Sequence, residues 1–273
     1  MAVHKQYLCK HTLLKLSLLA SIGVAASLQP LAAANLVQNS DFEQNGGLGV
    51  LGNGVNGGTN GKTTLANWTI GPTIVNSITN PGDSPFVFVM DGNASKTGAP
   101  SQNGTIYLRG SVPASPNGGY FIGADGDYAP APIMQTIAGL APSTTYTLSF
   151  DWGASQLTAC DNIGTPCPSN STTNDWQVSI DGQTFTTPTT SVVNGVFTGW
   201  KTYSTTFTTG SSIGAGQNVL SFLSQGGPVG APPFALLDSV SLTQTPEPAS
   251  LSVIAGGLLS LIGVVRLRKN RRR

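Results

Sequence analysis

In several stretches between residues 35 and 245 apolar side chains recur at every second position. Tyr146, Leu148, Phe150 and Trp152 alternate with Thr145, Thr147, Ser149 and Asp151, and Trp176, Val178 and Ile180 repeat the pattern. A period of two puts one set of side chains on each face of a half-buried strand. Asp181-Gly182 then predicts a tight hairpin leading into Thr184 and Phe185. Further apolar or alternating runs at 86–90, 105–108, 203–208, 219–223 and 235–242 predict more strands. The glycine- and asparagine-rich stretch 44–61, the stretch 159–174 and the breaks at Pro228, Pro232 and Pro233 predict loops. Outside the two terminal segments no run carries apolar residues at helical spacing. Many short strands separated by turn residues predict an all-β fold, a β-sandwich formed by residues 35–245 as one outer domain.

The ends of the chain follow different patterns. Lys5, Lys10 and Lys15 precede an apolar run from Leu16 to Leu28, and Ala32-Ala33-Ala34 follows. Basic, apolar and small-residue segments in that order predict a secretory signal peptide over residues 1–34, cleaved before Asn35. An uncleaved N-terminal anchor shares this pattern and stays open. Residues 249–265 form 17 positions without a charge, near the short limit of about 17–25 for a transmembrane helix. Behind them lie Arg266, Arg268, Lys269, Arg271, Arg272 and Arg273. Cations beside a span stay in the cytoplasm, so residues 35–245 are expected outside, anchored in the inner membrane.

Charge sharpens this division. The formal net charge is +1, but residues 35–245 carry four cations against eleven carboxylates, a net of −7. Nucleic-acid binding requires cations on the folded domain and is excluded as a function class. Both histidines, His4 and His11, lie in the signal segment. The outer domain therefore lacks the base of Ser-His-Asp or Cys-His catalysis, and histidine-built zinc sites are absent as well. Pairs of aspartates leave an Asp-based hydrolase open as the third function class, though nothing singles out a pair. Cys160 and Cys167, with six residues between them, are expected to form one local disulfide in an oxidising compartment, with two free thiols as the alternative.

Pro246-Glu247-Pro248, the span 249–265 and the basic tail from Arg266 resemble, in that order, the PEP-CTERM sorting signal of Gram-negative bacteria. The resemblance covers residues 246–273. It implies Sec-dependent export, transient anchoring, cleavage by an exosortase-type membrane protease, and release toward the cell surface or an exopolysaccharide matrix. The outer domain resembles the galactose-binding-like and carbohydrate-binding-module-like jelly rolls common in such proteins. The resemblance is carried by Asn35 to Glu43 (NLVQNSDFE), by Thr144 to Phe150 (TTYTLSF) and by Leu236 to Leu242 (LLDSVSL). Ser40 departs from the usual glycine, and residues 86–128 match nothing assignable. A jelly roll with no required cofactor is implied.

In such jelly rolls a structural calcium often joins the first and last strands, and Glu43 and Asp238 fall at the matching places. Asp238 shares parity with Val240 and Leu242, which predicts that it points toward the core. A carboxylate there needs a partner or an ion, and a hydrogen-bonded carboxylate is the alternative. Asp125-Gly126-Asp127 is foremost turn chemistry, with only a partial likeness to a calcium loop. Tyr120, Phe121 and Tyr128 flank it as a recognition loop or a hydrophobic turn. Trp152 and Trp176 are expected in the core. Trp68 and Trp200, with turn residues beside them, are the candidate sugar-stacking residues. The leading expectation is a non-catalytic exported surface or matrix protein, with a glycan-specific binding module as the alternative.

Overall fold

The computed structural model describes residues 33–52, 63–75, 78–80, 85–92, 106–158 and 170–246. Most of the signal segment, Cys160, Cys167, Glu247, Pro248, the 249–265 span and the basic tail lie outside the described residues, which form strands joined by turns and irregular segments. No helix among them is long and apolar enough to cross a membrane. The strands are β1 (Gly49–Val50), β2 (Thr69–Ile70), β3 (Thr73–Val75), β4 (Ile78–Asn80), β5 (Val87–Asp91), β6 (Tyr120–Asp125), β7 (Ile133–Thr136), β8 (Thr145–Gln156), β9 (Thr172–Ile180), β10 (Gln183–Thr186), β11 (Thr190–Val192), β12 (Lys201–Thr208), β13 (Val219–Gly227) and β14 (Pro233–Gln244).

Two sheets pack face to face. The first has the order β1-β5-β6-β14-β8-β12, and the second has β10-β9-β13-β7-β2 with β11 also on β9. All strand pairs are antiparallel. From β6 to β9 the chain changes sheet at every step, and β12, β13 and β14 alternate again. Burial of both inner faces drives this arrangement. Tyr146, Leu148, Phe150 and Trp152 of β8 meet Trp176, Val178 and Ile180 of β9 and Leu220 and Phe222 of β13 in one core. The alternation in the sequence therefore corresponds to the inner faces. The Asp181-Gly182 hairpin also forms, both residues having positive φ (51° and 68°), as the twist of a two-residue antiparallel turn requires.

The first sheet is also covered on part of its outer face. Phe88, Met90, Phe121, Phe234 and Leu236 point away from the main core and meet Ile106, Leu108 and Val112, with Phe197 and Trp200 packed alongside. Of the 105–108 run, expected as a strand, Ile106 and Leu108 instead contribute to this cover, with an isolated bridge from Leu108 to Leu157. The 44–61 stretch, expected as a loop, contains β1. Residues 172–174, expected in a loop, belong to β9. β6 gave no alternating signal because both of its faces are buried. Away from the cover, the outer face is an exposed or half-exposed array of hydroxyls. Ser204 and Ser241 flank Ser149, and Thr206 and Thr243 flank Thr147.

Candidate functional site

The N-terminal segment closes onto the last strand. β14 pairs with β6 only through Leu237. Beyond it, residues 35–40 take the empty edge: Leu36 N–H donates to Leu242 O (2.9 Å) and Val240 N–H to Ser40 O (2.8 Å). Asn35 accepts from Leu242 N–H and donates to Val240 O. Asn39 Nδ2 donates to Gln44 O and Ala66 O, while its Oδ1 accepts from Gln44 N–H. Left-handed backbone at Asn39 (φ 48°) and Phe42 (φ 59°) turns the chain. Phe42 thereby enters the core fully buried. Ser40 is not among the positive-φ residues, so serine stands there without strain.

That turn aims Glu43 at the start of β6. Glu43 Oε1 accepts from Tyr120 N–H at 2.6 Å. Any side chain at Gly119 (φ +68°) would overlap the Glu43 carboxylate. The same segment reaches Asp238. Ser115 Oγ donates to Asp238 Oδ2, Ser239 N–H donates to Asp238 Oδ1 (2.7 Å), and Asn117 Nδ2 donates to Ser239 Oγ (2.7 Å). The two acids predicted from the first and last strands thus hold the same short stretch, residues 115–120.

The expected orientation of Asp238 is corrected. The register of β14 against β8 shifts between Asp238 and Ser241, and Ser239 is left-handed (φ 55°). This bulge inverts the alternation. Leu237 and Val240 both face the main core, whereas Asp238 follows Phe234 and Leu236 onto the other face. There it is fully buried and lies opposite Asp151. Burial, together with the neighbouring Asp151 and Asp41 charges, pushes its carboxyl up to about 7 against the opposing hydrogen bonds.

The partner-or-ion question at Asp238 has a direct structural observation: both its oxygens accept protein hydrogen bonds. Among the described residues no group of three or more His, Cys, Asp or Glu side chains stands close enough to hold a metal. Glu43 and Asp238 do not form a carboxylate-rich calcium cage among the described residues.

A second carboxylate lies at the other end of β6. Asp125 is fully buried. Its Oδ1 accepts from Asp127 N–H (2.8 Å) and Tyr128 N–H (3.0 Å), the turn chemistry expected of Asp-Gly-Asp. Its Oδ2 is buried without a partner among the described residues, and burial pushes the carboxyl up to about 7. Asp125 stands opposite Phe234, four residues from Asp238 along β14. At about 3.3 Å per residue the two acids are roughly 13 Å apart along the strand, beyond the ~5–9.5 Å of a glycosidase pair. Tyr120 and Phe121 belong to β6, while Tyr128 is 67% exposed at the tip.

The tryptophans divide unevenly. Trp152 and Trp176 are core residues, as expected. Trp68 joins them, which overturns its expected role as a sugar platform. It is 6% exposed, packs on Phe42 and Phe222 and donates from Nε1 to Asn39 O (3.0 Å). Trp200 is half-buried and meets Phe121 and Phe197 at steep angles. No signal at 86–128 pointed to Ser115, while Asp127 stood in the expected Asp125-Gly126-Asp127 turn and the Gly118-Gly119 pair was a legible turn signal.

No protein-family model and no curated protein sequence matches the chain. Among solved structures, a cyclase from Fischerella sp. TAU is 15% identical, with 80% of this chain and 98% of that chain covered at a TM-score of 0.44. TmCBM61 in complex with beta-1,4-galactotriose is 13% identical over 78% of this chain and all of that one, at 0.36. The Family 16 Carbohydrate Binding Module-2 is 17% identical over 58% of this chain and 86% of that one, at 0.27. Overlaps at this level carry no functional argument, and the β-sandwich is established by the two sheets of the chain itself.

Proposed function

We propose that this chain is an exported, non-catalytic protein with a jelly-roll outer domain, sorted by an exosortase-type protease and delivered to the cell surface or an exopolysaccharide matrix. The carrying observation is the order Pro246-Glu247-Pro248, apolar span, basic tail. The end of the domain supports it. Thr245 N–H makes a last ladder bond to Thr145 O (2.9 Å). Pro246, which has no N–H to continue the ladder, follows exposed. The first residue of the motif is therefore exposed just past the end of this ladder. Full burial of Asp238 and Asp125 supports the non-catalytic part.

The test is fractionation of tagged protein from cells with and without the sorting protease. Shortened, released protein in the first and full-length membrane-bound protein in the second are expected. Cytoplasmic protein in both refutes the proposal. A second reading, direct binding of matrix polysaccharide by the outer domain, is favoured by the exposed aromatic ring of Tyr128 beside the half-buried Asp127.

A further inference from the structure

Five large hydrophobic residues are prominently exposed among the described residues, and two of them, Tyr128 and Val229 (67% and 87%), lie on loops tied together at one end of the sandwich. Asp127 Oδ2 accepts from Gly230 N–H at 3.0 Å. Gly126 N–H donates to Pro233 O (3.0 Å), and a Cβ at Gly126 would meet the backbone of Gln225 and Gly226. Phe86 N–H donates to Ala129 O (3.0 Å), bringing in a third segment.

The tip is costly to form. Ala129 takes a left-handed φ of 47°, which disfavours a residue with a Cβ. Asp125 lies beneath with one carboxylate oxygen unpartnered among the described residues, a further cost. These costs hold an aromatic ring in water. The Tyr128 ring meets Phe86 at 84° with centroids 5.6 Å apart. In a perpendicular pair Phe86 can cover at most one face of that ring, so at least one face is free of it.

We propose that Tyr128 and Asp127 form a contact site for one sugar unit of an uncharged polysaccharide. The site rests on the second reading above. A pyranose has an apolar C–H face and a rim of hydroxyls. A flat, exposed tyrosine accepts the former, and a half-buried carboxylate beside it accepts hydrogen bonds from the latter. Charge selects the class of polymer, because the outer domain's net −7 repels polyanions. The hydroxyl face around Ser149 and Thr147 is the rival surface. It lacks an aromatic ring, and its hydroxyls exchange water for sugar with little net gain.

The full chain is run through native gels containing neutral galactan, glucan or mannan, with polygalacturonate as the charged probe. Retardation by at least one neutral polymer and none by polygalacturonate is expected. Tyr128→Ala should weaken that retention tenfold or more, and Tyr128→Phe should restore it. Asp127→Asn, whose amide oxygen still accepts from Gly230, should weaken it with the fold intact by circular dichroism. Thr206→Lys on the rival face should leave it unchanged. A wild-type chain retarded by none of the polymers refutes polysaccharide binding itself. Retention that survives Tyr128→Ala, or is lost only with Thr206→Lys, leaves binding standing and overturns this site. Retardation by polygalacturonate overturns the selection for uncharged polymers.

Discussion

Replacing Asp238 by asparagine should remove much of the acid-side pH dependence of stability. The carboxyl moves from 3.8 to about 7 on folding because burial disfavours its charge. A group raised in this way favours the folded state fully below the unfolded value. Its contribution is lost as pH rises through the folded value, so the window runs from about 4 to about 7. At about 1.4 kcal/mol per pKa unit the ceiling is ~4 kcal/mol. The effective screening of charge inside a protein, stronger than in a dry interior, brings the expected loss to roughly 2 kcal/mol. The substituted amide keeps an oxygen to accept from Ser239 N–H and turns its NH2 group toward Ser115 Oγ, whose hydroxyl already has a second acceptor in Gly118 O (3.2 Å). The variant should therefore fold, lose little at pH 4 and exceed the parent in stability at pH 8. Urea unfolding followed by fluorescence of the buried Trp152 and Trp176 measures both proteins at several pH values. Parallel stability curves for parent and variant between pH 4 and 8 would refute the assignment of an elevated pKa to Asp238.

Trp68→Ala should lower stability by about 3–5 kcal/mol, the cost of emptying a large buried site, read as a fall in the urea midpoint, with polysaccharide retention of the folded fraction unchanged. Loss of retention at full stability would return Trp68 to the ligand site. Melting temperature should be equal in excess EDTA and in millimolar calcium, because the Glu43 and Asp238 carboxylates accept protein donors. A calcium-dependent rise would require an ion held by groups other than a cluster of acids.

The strands most legible in the sequence were those with one wet face. Thr145 to Trp152 and Trp176 to Ile180 alternate because one side meets water and the other the opposite sheet, and the Asp181-Gly182 turn follows from backbone sterics alone. β6 was illegible because a strand buried on both faces carries no alternation. The covering role of residues 106–112 was equally hidden, since an apolar run reads alike whether it forms a strand or lies across one.

At the candidate site the resemblance to jelly rolls paired Glu43 with Asp238, and the structure places Glu43 in the segment before β1 and Asp238 on β14. The sequence did not reveal the bulge at Ser239, which reverses the face of Asp238, nor the partner Ser115, 123 positions away. The chain by itself determined the division of charge, the absence of histidine from the outer domain and the motif at Pro246, because these depend on local composition and order. Only the tertiary structure decided that Trp68 is core and Tyr128 is surface. Both are aromatic residues beside turn residues, and the difference lies in which neighbours the folded sheets bring over them: Phe42 and Phe222 enclose the first, while the second remains open beside Phe86.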